Sequence, residues 1–174
     1  MIIDEHGKRV SKNPFLLAGP CVIESRDNVM LIAQTMKEMT QKIGYDYIFK
    51  ASFDKANRTS VTSYRGPGID EGLKILQEVK EQFDLPLVTD IHESTQAKAI
   101  GEVVDVLQIP AYLCRQTDLL VESAKTGKIV NIKKAQFLSG ADMQNVVKKV
   151  ESTGNKQIML TERGNMLGYN NLVV

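Results

Sequence analysis

The chain has 174 residues, of which 43% are hydrophobic and 25% charged, so it can bury a core and lacks the composition of a disordered segment. Lysine and arginine number 22 against 21 acidic residues. This balance excludes a general attraction to nucleic acid or to an anionic membrane. The two cysteines, with neither a long apolar run nor a signal peptide, predict a soluble protein of a reducing compartment with no membrane partner.

Short aliphatic runs alternate along the chain with stretches whose apolar residues follow a three-and-four spacing. The runs predict strands at residues 15–19, 45–51, 85–91, 104–109, 129–133 and 157–161, with the start of a seventh at 172–174. The three-and-four spacing predicts core-facing helical faces at Val29, Ile32, Ala33, Met36 and Ile43, at Leu73, Leu76, Val79 and Phe83, and at Met143, Val146, Val147 and Val150. This alternation is typical of an α/β fold with a parallel sheet covered by helices.

The strand-helix units recur at a spacing that suits a (β/α)8 barrel, which needs roughly 250 residues. We expect residues 1–174 to form a single barrel domain that supplies about six to seven βα units and lacks the C-terminal part of the barrel. Residues 2–12 are expected to form an N-terminal extension with a hairpin. The alternative is an open doubly wound sheet, although no GxGxxG turn follows an early strand.

Cationic side chains follow several of the predicted strands. In parallel α/β folds the ligand binds beyond the carboxyl ends of the strands, so these side chains are expected to gather on one rim. The cations at these positions are Lys50, Lys55, Arg58, Arg115, Lys133 and Arg163. Arginine offers a planar fork and lysine a point charge, so the set predicts a site for a substrate that carries more than one anionic group. Each cation taken alone could equally be a solvated surface charge.

Other polar residues near the strand ends leave alternatives open. Asp90 could pair with a lysine or orient a substrate hydroxyl, and His92 is a weaker candidate for a functional role. Cys21 could be a buried small residue, a nucleophile or a metal ligand, whereas the apolar surroundings of Cys114 favour packing. Lys134 alternates to the opposite side of its strand from the preceding lysine, which favours a structural role.

Six sequence blocks carry a family resemblance. They are AGPCVIES at 18–25, FKASFDKANRTS at 49–60, TDIHE at 89–93, QIPAYLCRQTDLL at 108–120, NIKKAQF at 131–137 and LTERGNMLGYNNLVV at 160–174. In order and spacing the chain resembles the 3-deoxy-D-manno-octulosonate 8-phosphate synthases over residues 13–174. The resemblance implies a (β/α)8 barrel, a homotetramer and a transferase that condenses phosphoenolpyruvate with D-arabinose 5-phosphate, releasing phosphate, for lipopolysaccharide biosynthesis.

The resemblance also implies roles for individual residues. The positions that match phosphoenolpyruvate ligands are Lys50, Ser52, Lys55, Gln108, Lys133 and Arg163. Those that match the arabinose 5-phosphate site are Asn57, Arg58 and Thr59, the last standing where the family often has serine. Asp90 matches a carboxylate near the reacting centre, and with Lys55 and Lys133 it completes the predicted catalytic set. Tyr112 and Arg115 match residues that reach the site of a neighbouring subunit.

The identity of residue 21 as cysteine is relevant to whether the protein uses a metal ion. The family's metal-dependent members have cysteine where the metal-independent members have asparagine, so the resemblance implies a divalent zinc, iron or manganese ion. The remaining ligands are expected beyond Val174.

Three alternatives remain for the function. One is the related 3-deoxy-D-arabino-heptulosonate 7-phosphate synthase, against which the KANRTS block argues, and another is a truncated, non-catalytic phosphoanion-binding fragment. Binding of nucleic acid is the least favoured, because no aromatic residues are interleaved with the cations to stack on bases.

Overall fold

Residues 14–168 and the backbone of residues 171–173 are described by the computed structural model of this chain. They fall into two units, one formed by residues 14–90 and 103–105, the other by residues 91–102 and 106–173 with a gap at 169–170. The hairpin expected within residues 2–12 lies outside the described residues. Within the described ranges, no helix combines the length and apolar character needed to cross a bilayer.

The first unit alternates three parallel strands with two helices. Its elements are β1 (Phe15–Ala18), α1 (Arg26–Ile43), β2 (Asp46–Lys50), α2 (Ile69–Phe83) and β3 (Leu87–Asp90). Strand β2 lies between the other two, with Phe15 opposite Asp46 and Phe49 opposite Leu87. The aromatic and aliphatic side chains of β2 are buried, which is typical of a central parallel strand that helices cover.

Helix α1 is capped at both of its ends. The Ser25 hydroxyl accepts a hydrogen bond from the Asn28 N–H at 3.3 Å and so forms the N-cap. Gly44 ends the helix in the left-handed region with φ of 73°. Val29 and Ala33 are buried as expected, but Ile43 is 64% exposed, so its assignment to the core-facing stripe was wrong. Ile43 is the last residue of α1, directly before the Gly44 cap.

The second unit has the same alternation followed by a hairpin. Its elements are α3 (Ala97–Val103), β4 (Val106–Ile109), α4 (Thr117–Lys125), β5 (Ile129–Lys133), α5 (Met143–Glu151), β6 (Ile158–Thr161), β7 (Asn165–Leu167) and β8 (Asn171–Val173), with short 3-10 helices at Ser94–Gln96 and Ala111–Leu113. Strands β4, β5 and β6 are parallel, with Gln108 opposite Asn131 and Lys133 opposite Thr161. The predicted α/β class is therefore confirmed.

The end of the chain differs from the prediction. Residues 172–174 were expected to begin a seventh strand of the parallel sheet, but Asn171–Val173 pairs antiparallel with Asn165–Leu167. A parallel partner needs a crossover connection of about a dozen residues or more, and the short connection after β7 is too brief for one. Gly168, with φ of 62°, begins that connection in a conformation that favours glycine.

Candidate functional site

Four predicted site residues of the first unit form one cluster, the β2–β3 cluster of Lys50, Ser52, Lys55 and Asp90. The Lys50 ammonium lies 3.4 Å from Oδ1 of Asp90, and the Lys55 ammonium lies 3.3 Å from Oδ2. The Ser52 hydroxyl donates to Oδ2 at 3.1 Å and accepts from the Lys55 ammonium at 2.7 Å. The carboxyl ends of two adjacent parallel strands thus bring together residues that are far apart in the sequence.

The β2–β3 cluster has a surplus of positive charge. Two ammonium groups face one carboxylate, so two positive charges and one negative charge leave a net charge of +1. The side chains of Lys50, Lys55 and Asp90 are 18%, 14% and 9% exposed, so water screens the charges only in part. Each ammonium carries three N–H donors. The cluster can therefore attract an anion and hydrogen-bond to its oxygens.

The segment after β1 packs closely against the end of β2. A side chain at Gly19 would place its Cβ 2.1 Å from the Lys50 carbonyl oxygen, so only glycine fits this approach. Val22 forms a parallel bridge with Ser52, and the Ile23 N–H donates to the Ser52 carbonyl at 3.0 Å. These contacts fix the backbone beneath the buried Ser52 hydroxyl.

The loop after the cluster is closed at its base and exposed at its tip. The Lys55 N–H donates to the Arg65 carbonyl at 2.7 Å, and the Arg65 guanidinium pairs with both oxygens of Asp54. The hydrogen bond to Asp54 and its charge raise the pKa of Arg65. In the tip, Asn57, Arg58 and Thr59 are exposed.

In the second unit, polar side chains form a ladder across three adjacent parallel strands. The Asn131 side-chain amide donates to the Gln108 oxygen at 3.3 Å, and the Thr161 hydroxyl donates to the Asn131 oxygen at 2.8 Å. Gln108 and Asn131 are 2% and 1% exposed. Lys133 lies two residues beyond Asn131, so both side chains leave the same face of β5, where Lys133 is half-buried. The predicted ligands Gln108 and Lys133 thus share a buried polar face with Thr161.

Asn131 is a buried polar residue, bonded to the predicted ligand Gln108, that the sequence reasoning missed. A buried amide is costly unless it is hydrogen-bonded, and the bonds to Gln108 and Thr161 offset this cost for Asn131. The signal was present in the sequence, because Asn131 and Lys133 alternate in the segment NIKK. Alternation alone could have placed the amide beside the lysine.

Arg163 follows β6 in a segment organised by the neighbouring carboxylate. The N–H groups of Arg163 and Gly164 donate to Oε1 of Glu162 at 2.8 Å and 2.7 Å. The Gly164 N–H contributes most to lowering the pKa of Glu162, with a further contribution from the Lys134 ammonium. The Arg163 side chain is exposed. The fixed element at this strand end is therefore the backbone on either side of the arginine.

Tyr112 and Arg115, predicted to reach a neighbouring subunit, lie on the surface of the second unit. Tyr112 is 57% exposed and contacts the ring of Phe137, with centroids 5.9 Å apart and planes at 60°. Arg115 is exposed, and its carbonyl accepts from the Lys149 ammonium at 2.7 Å. Exposed aromatic residues and arginines are typical of protein interfaces.

The two cysteines have different environments. Cys114 is buried, which confirms the packing role expected for it, whereas Cys21 is exposed in the segment after β1. Among residues 14–168, no group of three or more histidine, cysteine, aspartate and glutamate side chains is placed to hold a metal ion. The donors that the structure describes therefore do not by themselves fit a metal centre.

The strand-helix alternation and the cationic groups at the strand ends define an α/β protein of barrel type with an anion-attracting site. The chain belongs to the DAHP synthetase I family, whose model matches residues 6–174. This match confirms the expected fold, because the family is built on the TIM barrel. Among the described residues, β1 to β6 are parallel strands of this fold.

Curated relatives match most of the chain. It is 58% identical over 159 residues to the 2-dehydro-3-deoxyphosphooctonate aldolase of Fusobacterium nucleatum subsp. nucleatum, an alignment covering 91% of this chain and 57% of that protein. It is 57% identical over 166 residues to 2-dehydro-3-deoxyphosphooctonate aldolase 2 of Arabidopsis thaliana, covering 95% and 57%. For the Shewanella halifaxensis aldolase the identity is 59% over 162 residues, covering 92% and 57%. The chain thus spans little more than half the length of these relatives, and the resemblance drawn from the sequence blocks is confirmed.

Proposed function

We propose that the whole protein to which this chain belongs condenses phosphoenolpyruvate with D-arabinose 5-phosphate and water, forming 3-deoxy-D-manno-octulosonate 8-phosphate and phosphate. The observation that carries the proposal is the β2–β3 cluster, where two ammonium groups share one carboxylate at adjacent strand ends. The names of the relatives support it, since 2-dehydro-3-deoxyphosphooctonate aldolase is another name for the enzyme of this reaction.

The first unit contributes cations and a hydroxyl to the binding of phosphoenolpyruvate in this proposal. Lys50, Lys55 and Ser52 bind oxygens of the substrate's carboxylate and phosphate. Asp90 holds both ammonium groups in place, so their positions are set before the substrate arrives. This arrangement supports the predicted location of Asp90 near the reacting centre.

In the second unit, Gln108, Lys133 and Arg163 are proposed as phosphoenolpyruvate ligands, as the family resemblance implies. The ladder through Asn131 fixes the Gln108 carboxamide, so its orientation is determined by a hydrogen bond rather than by solvent. Lys133 shares its strand face with Asn131, and Arg163 supplies a planar fork for an anion.

Binding of the sugar phosphate is assigned to a separate group of residues. Asn57, Arg58 and Thr59 lie in an exposed loop tip whose base is closed by the Lys55 to Arg65 hydrogen bond, so the tip is available to a phosphorylated ligand. Tyr112 and Arg115 are proposed to complete the site of a neighbouring subunit in a homotetramer, and their exposure supports this.

The chemistry requires stabilisation of charge on several oxygens. The enol carbon of phosphoenolpyruvate forms a bond to the aldehyde carbon of the sugar, and the aldehyde oxygen becomes a hydroxyl. Water adds to the carbon that carries phosphate, and the tetrahedral intermediate then expels phosphate by cleavage of the C–O bond. Lys55 and Lys133 are proposed to stabilise the developing charge, because preorganised cations need no reorganisation during the reaction.

We include a divalent zinc, iron or manganese ion in the proposal only because Cys21 matches the cysteine of the family's metal-dependent members. Its exposed thiol could supply one ligand, but the described residues hold no group of three donors. No step of the reaction is therefore derived through a metal. The further ligands are proposed to lie outside the described residues.

The direct test is to assay phosphate release by the full-length protein. We expect release from phosphoenolpyruvate with arabinose 5-phosphate, and little with erythrose 4-phosphate. Divalent metal is included in one arm and chelator in another. No release with either sugar, with metal supplied, would contradict the proposal and favour a non-catalytic phosphoanion-binding protein.

The second candidate is 3-deoxy-D-arabino-heptulosonate 7-phosphate synthase. The description of the matching family, DAHP synthetase I, favours this candidate, whereas the names of the relatives favour the octulosonate reaction. The same assay distinguishes the two reactions, since a preference for erythrose 4-phosphate would favour the heptulosonate reaction over the octulosonate reaction. A role in lipopolysaccharide biosynthesis in the cytoplasm is proposed together with the octulosonate reaction.

A further inference from the structure

Lys134 is a buried lysine whose ammonium contacts an unusually complete set of oxygens. It is 4% exposed, and its Nζ lies within 3.3 Å of five oxygen atoms. The acceptors, with their distances, are the carbonyls of Ala135 (3.3 Å), Leu138 (3.1 Å) and Gly164 (2.9 Å), Oδ1 of Asn165 (2.8 Å) and Oε1 of Glu162 (3.2 Å). An ammonium group has only three N–H donors, so these oxygens already satisfy it.

The five oxygens come from two chain segments. Ala135 and Leu138 belong to the turn after β5, which is closed by the hydrogen bond from the Leu138 N–H to the Ala135 carbonyl at 3.0 Å. The other three belong to residues 162–165, which follow β6. The Met166 N–H also donates to the Gln136 carbonyl at 3.0 Å, so Lys134 and one backbone bond join the two segments.

One residue assigned to phosphoenolpyruvate lies just before the first segment, and another lies within the second. Lys133 directly precedes Lys134, whose own N–H donates to the Thr161 carbonyl at 2.8 Å. Arg163 lies between Glu162 and Gly164, and both of these bind the Lys134 ammonium. One buried charge therefore fixes the backbone on either side of Arg163 and directly after Lys133.

We propose that Lys134 is a positioning residue for phosphoenolpyruvate, acting through the backbone that presents Lys133 and Arg163. The inference rests on the proposed function for the identity of the ligand. Removal of the ammonium takes away the donor that the five oxygens share, so among the described residues only the Met166 to Gln136 backbone bond still joins the two segments. The backbone that presents Lys133 and Arg163 is then held less firmly. Displacement of binding groups by about 1 Å is enough to cost binding or rate severely.

The test compares Lys134→Met with Lys156→Met in the full-length protein. Both changes remove one ammonium, but Lys156 is exposed before β6 and has no assigned role. We expect Lys134→Met to weaken calorimetric binding of phosphoenolpyruvate about tenfold and to change the KM for arabinose 5-phosphate by less than about twofold. Lys156→Met should leave both unchanged.

Hydrogen exchange supplies a readout that does not depend on activity. The N–H groups of Leu138 and Gly164 are bonded within the two segments, and we expect them to exchange faster in Lys134→Met than in Lys156→Met. Should Lys134→Met fail to fold, Asn165→Ala removes one acceptor at an exposed position. It should produce the same selective loss of phosphoenolpyruvate affinity to a smaller extent, about threefold.

The outcomes separate this inference from the proposed function. Unchanged phosphoenolpyruvate affinity in the folded variants, or an equal loss for both substrates, would overturn the positioning role and leave Lys134 as a structural residue. If the wild-type protein binds phosphoenolpyruvate but releases no phosphate, the proposed condensation is wrong. The ratio of phosphoenolpyruvate affinities between Lys134→Met and the wild type still decides the role of Lys134. Absence of phosphoenolpyruvate binding in the wild type would overturn both.

Discussion

Lysines in the two units of this chain differ in exposure and in the number of protein oxygens around their ammonium groups. Lys50 and Lys55 share a single carboxylate, that of Asp90, and their side chains are 18% and 14% exposed. Lys134 is 4% exposed and has five oxygens within 3.3 Å. The first pair retains positive charge that can be offered to a ligand, whereas the ammonium of Lys134 is already neutralised and hydrogen-bonded by the protein.

The difference shows that position after a strand does not by itself make a lysine a ligand. What distinguishes the two kinds is the number of protein oxygens around the ammonium and the access that remains for solvent. Burial of a charge is tolerated only when its hydrogen bonds are satisfied, so Lys134 must stay bound to its acceptors. Lys50 and Lys55 can exchange solvent contacts for an anionic substrate.

Replacing Lys133, the immediate neighbour of Lys134, should have the largest effect on turnover. We expect Lys133→Ala to lower kcat/KM of the full-length enzyme about 10³-fold, because a fixed cation is lost where charge develops. The midpoint of thermal unfolding should change by less than about 2 °C, since the side chain is half-buried and adds little to the core. Unchanged kinetics would place Lys133 with the structural lysines.

Neutralising Asp90 should disrupt the β2–β3 cluster. Asp90→Asn keeps the shape of the side chain but leaves the Lys50 and Lys55 ammonium groups without their shared negative charge. We expect the free energy of unfolding from urea titration to fall by about 1–3 kcal/mol and kcat to fall about 10²-fold.

Asp118→Asn is the matched control for this change. Asp118 is exposed in the first turn of α4, so we expect a change within about 0.5 kcal/mol. Equal losses for the two variants would show that the β2–β3 cluster contributes nothing specific.

Acid is expected to loosen the region around Lys134. The Gly164 N–H and the Lys134 ammonium lower the folded-state pKa of Glu162 below its ordinary 4.5. A lowered pKa contributes stability that is fully present above the unfolded pKa and is lost as the pH falls through the folded one. Hydrogen exchange of the Gly164 amide, corrected for intrinsic rate, should therefore rise below about pH 4.

Glu162→Gln provides the comparison for the acid effect, because its oxygen cannot be protonated in this range. We expect the corrected exchange of the Gly164 amide in this variant to lose most of its pH dependence. The same acid response in both proteins would assign the loosening to another group.

The smallest effect on stability is expected at Cys21. Its thiol is exposed, so Cys21→Asn should change the free energy of unfolding by less than about 0.5 kcal/mol. If Cys21 is a metal ligand, the same variant should lose much less activity to chelator than the wild type does. Equal loss of activity to chelator in the two proteins would remove Cys21 from the metal site.

The sequence allowed prediction of the α/β fold, because parallel strands follow from aliphatic runs separated by amphipathic helices. It also placed Lys50 and Asp90 at strand ends, where parallel pairing brings them together. It could not indicate that Asn131 links Gln108 to Thr161, because a hydrogen bond across strands depends on register.

The antiparallel pairing of Asn165–Leu167 with Asn171–Val173 also escaped prediction. Its strands have only three residues each, too few to show a period. The outcome depended on the short connection that begins at Gly168 rather than on the apolar character of the last residues.

Calorimetric titration of phosphoenolpyruvate into full-length Lys50→Met, with Lys156→Met as control, tests most directly whether the β2–β3 cluster binds the substrate. We expect Lys50→Met to raise the dissociation constant at least about tenfold, since a charge-assisted hydrogen bond is lost, and Lys156→Met to leave it unchanged. Identical dissociation constants for wild type and Lys50→Met would contradict the assignment of this cluster to an anionic substrate.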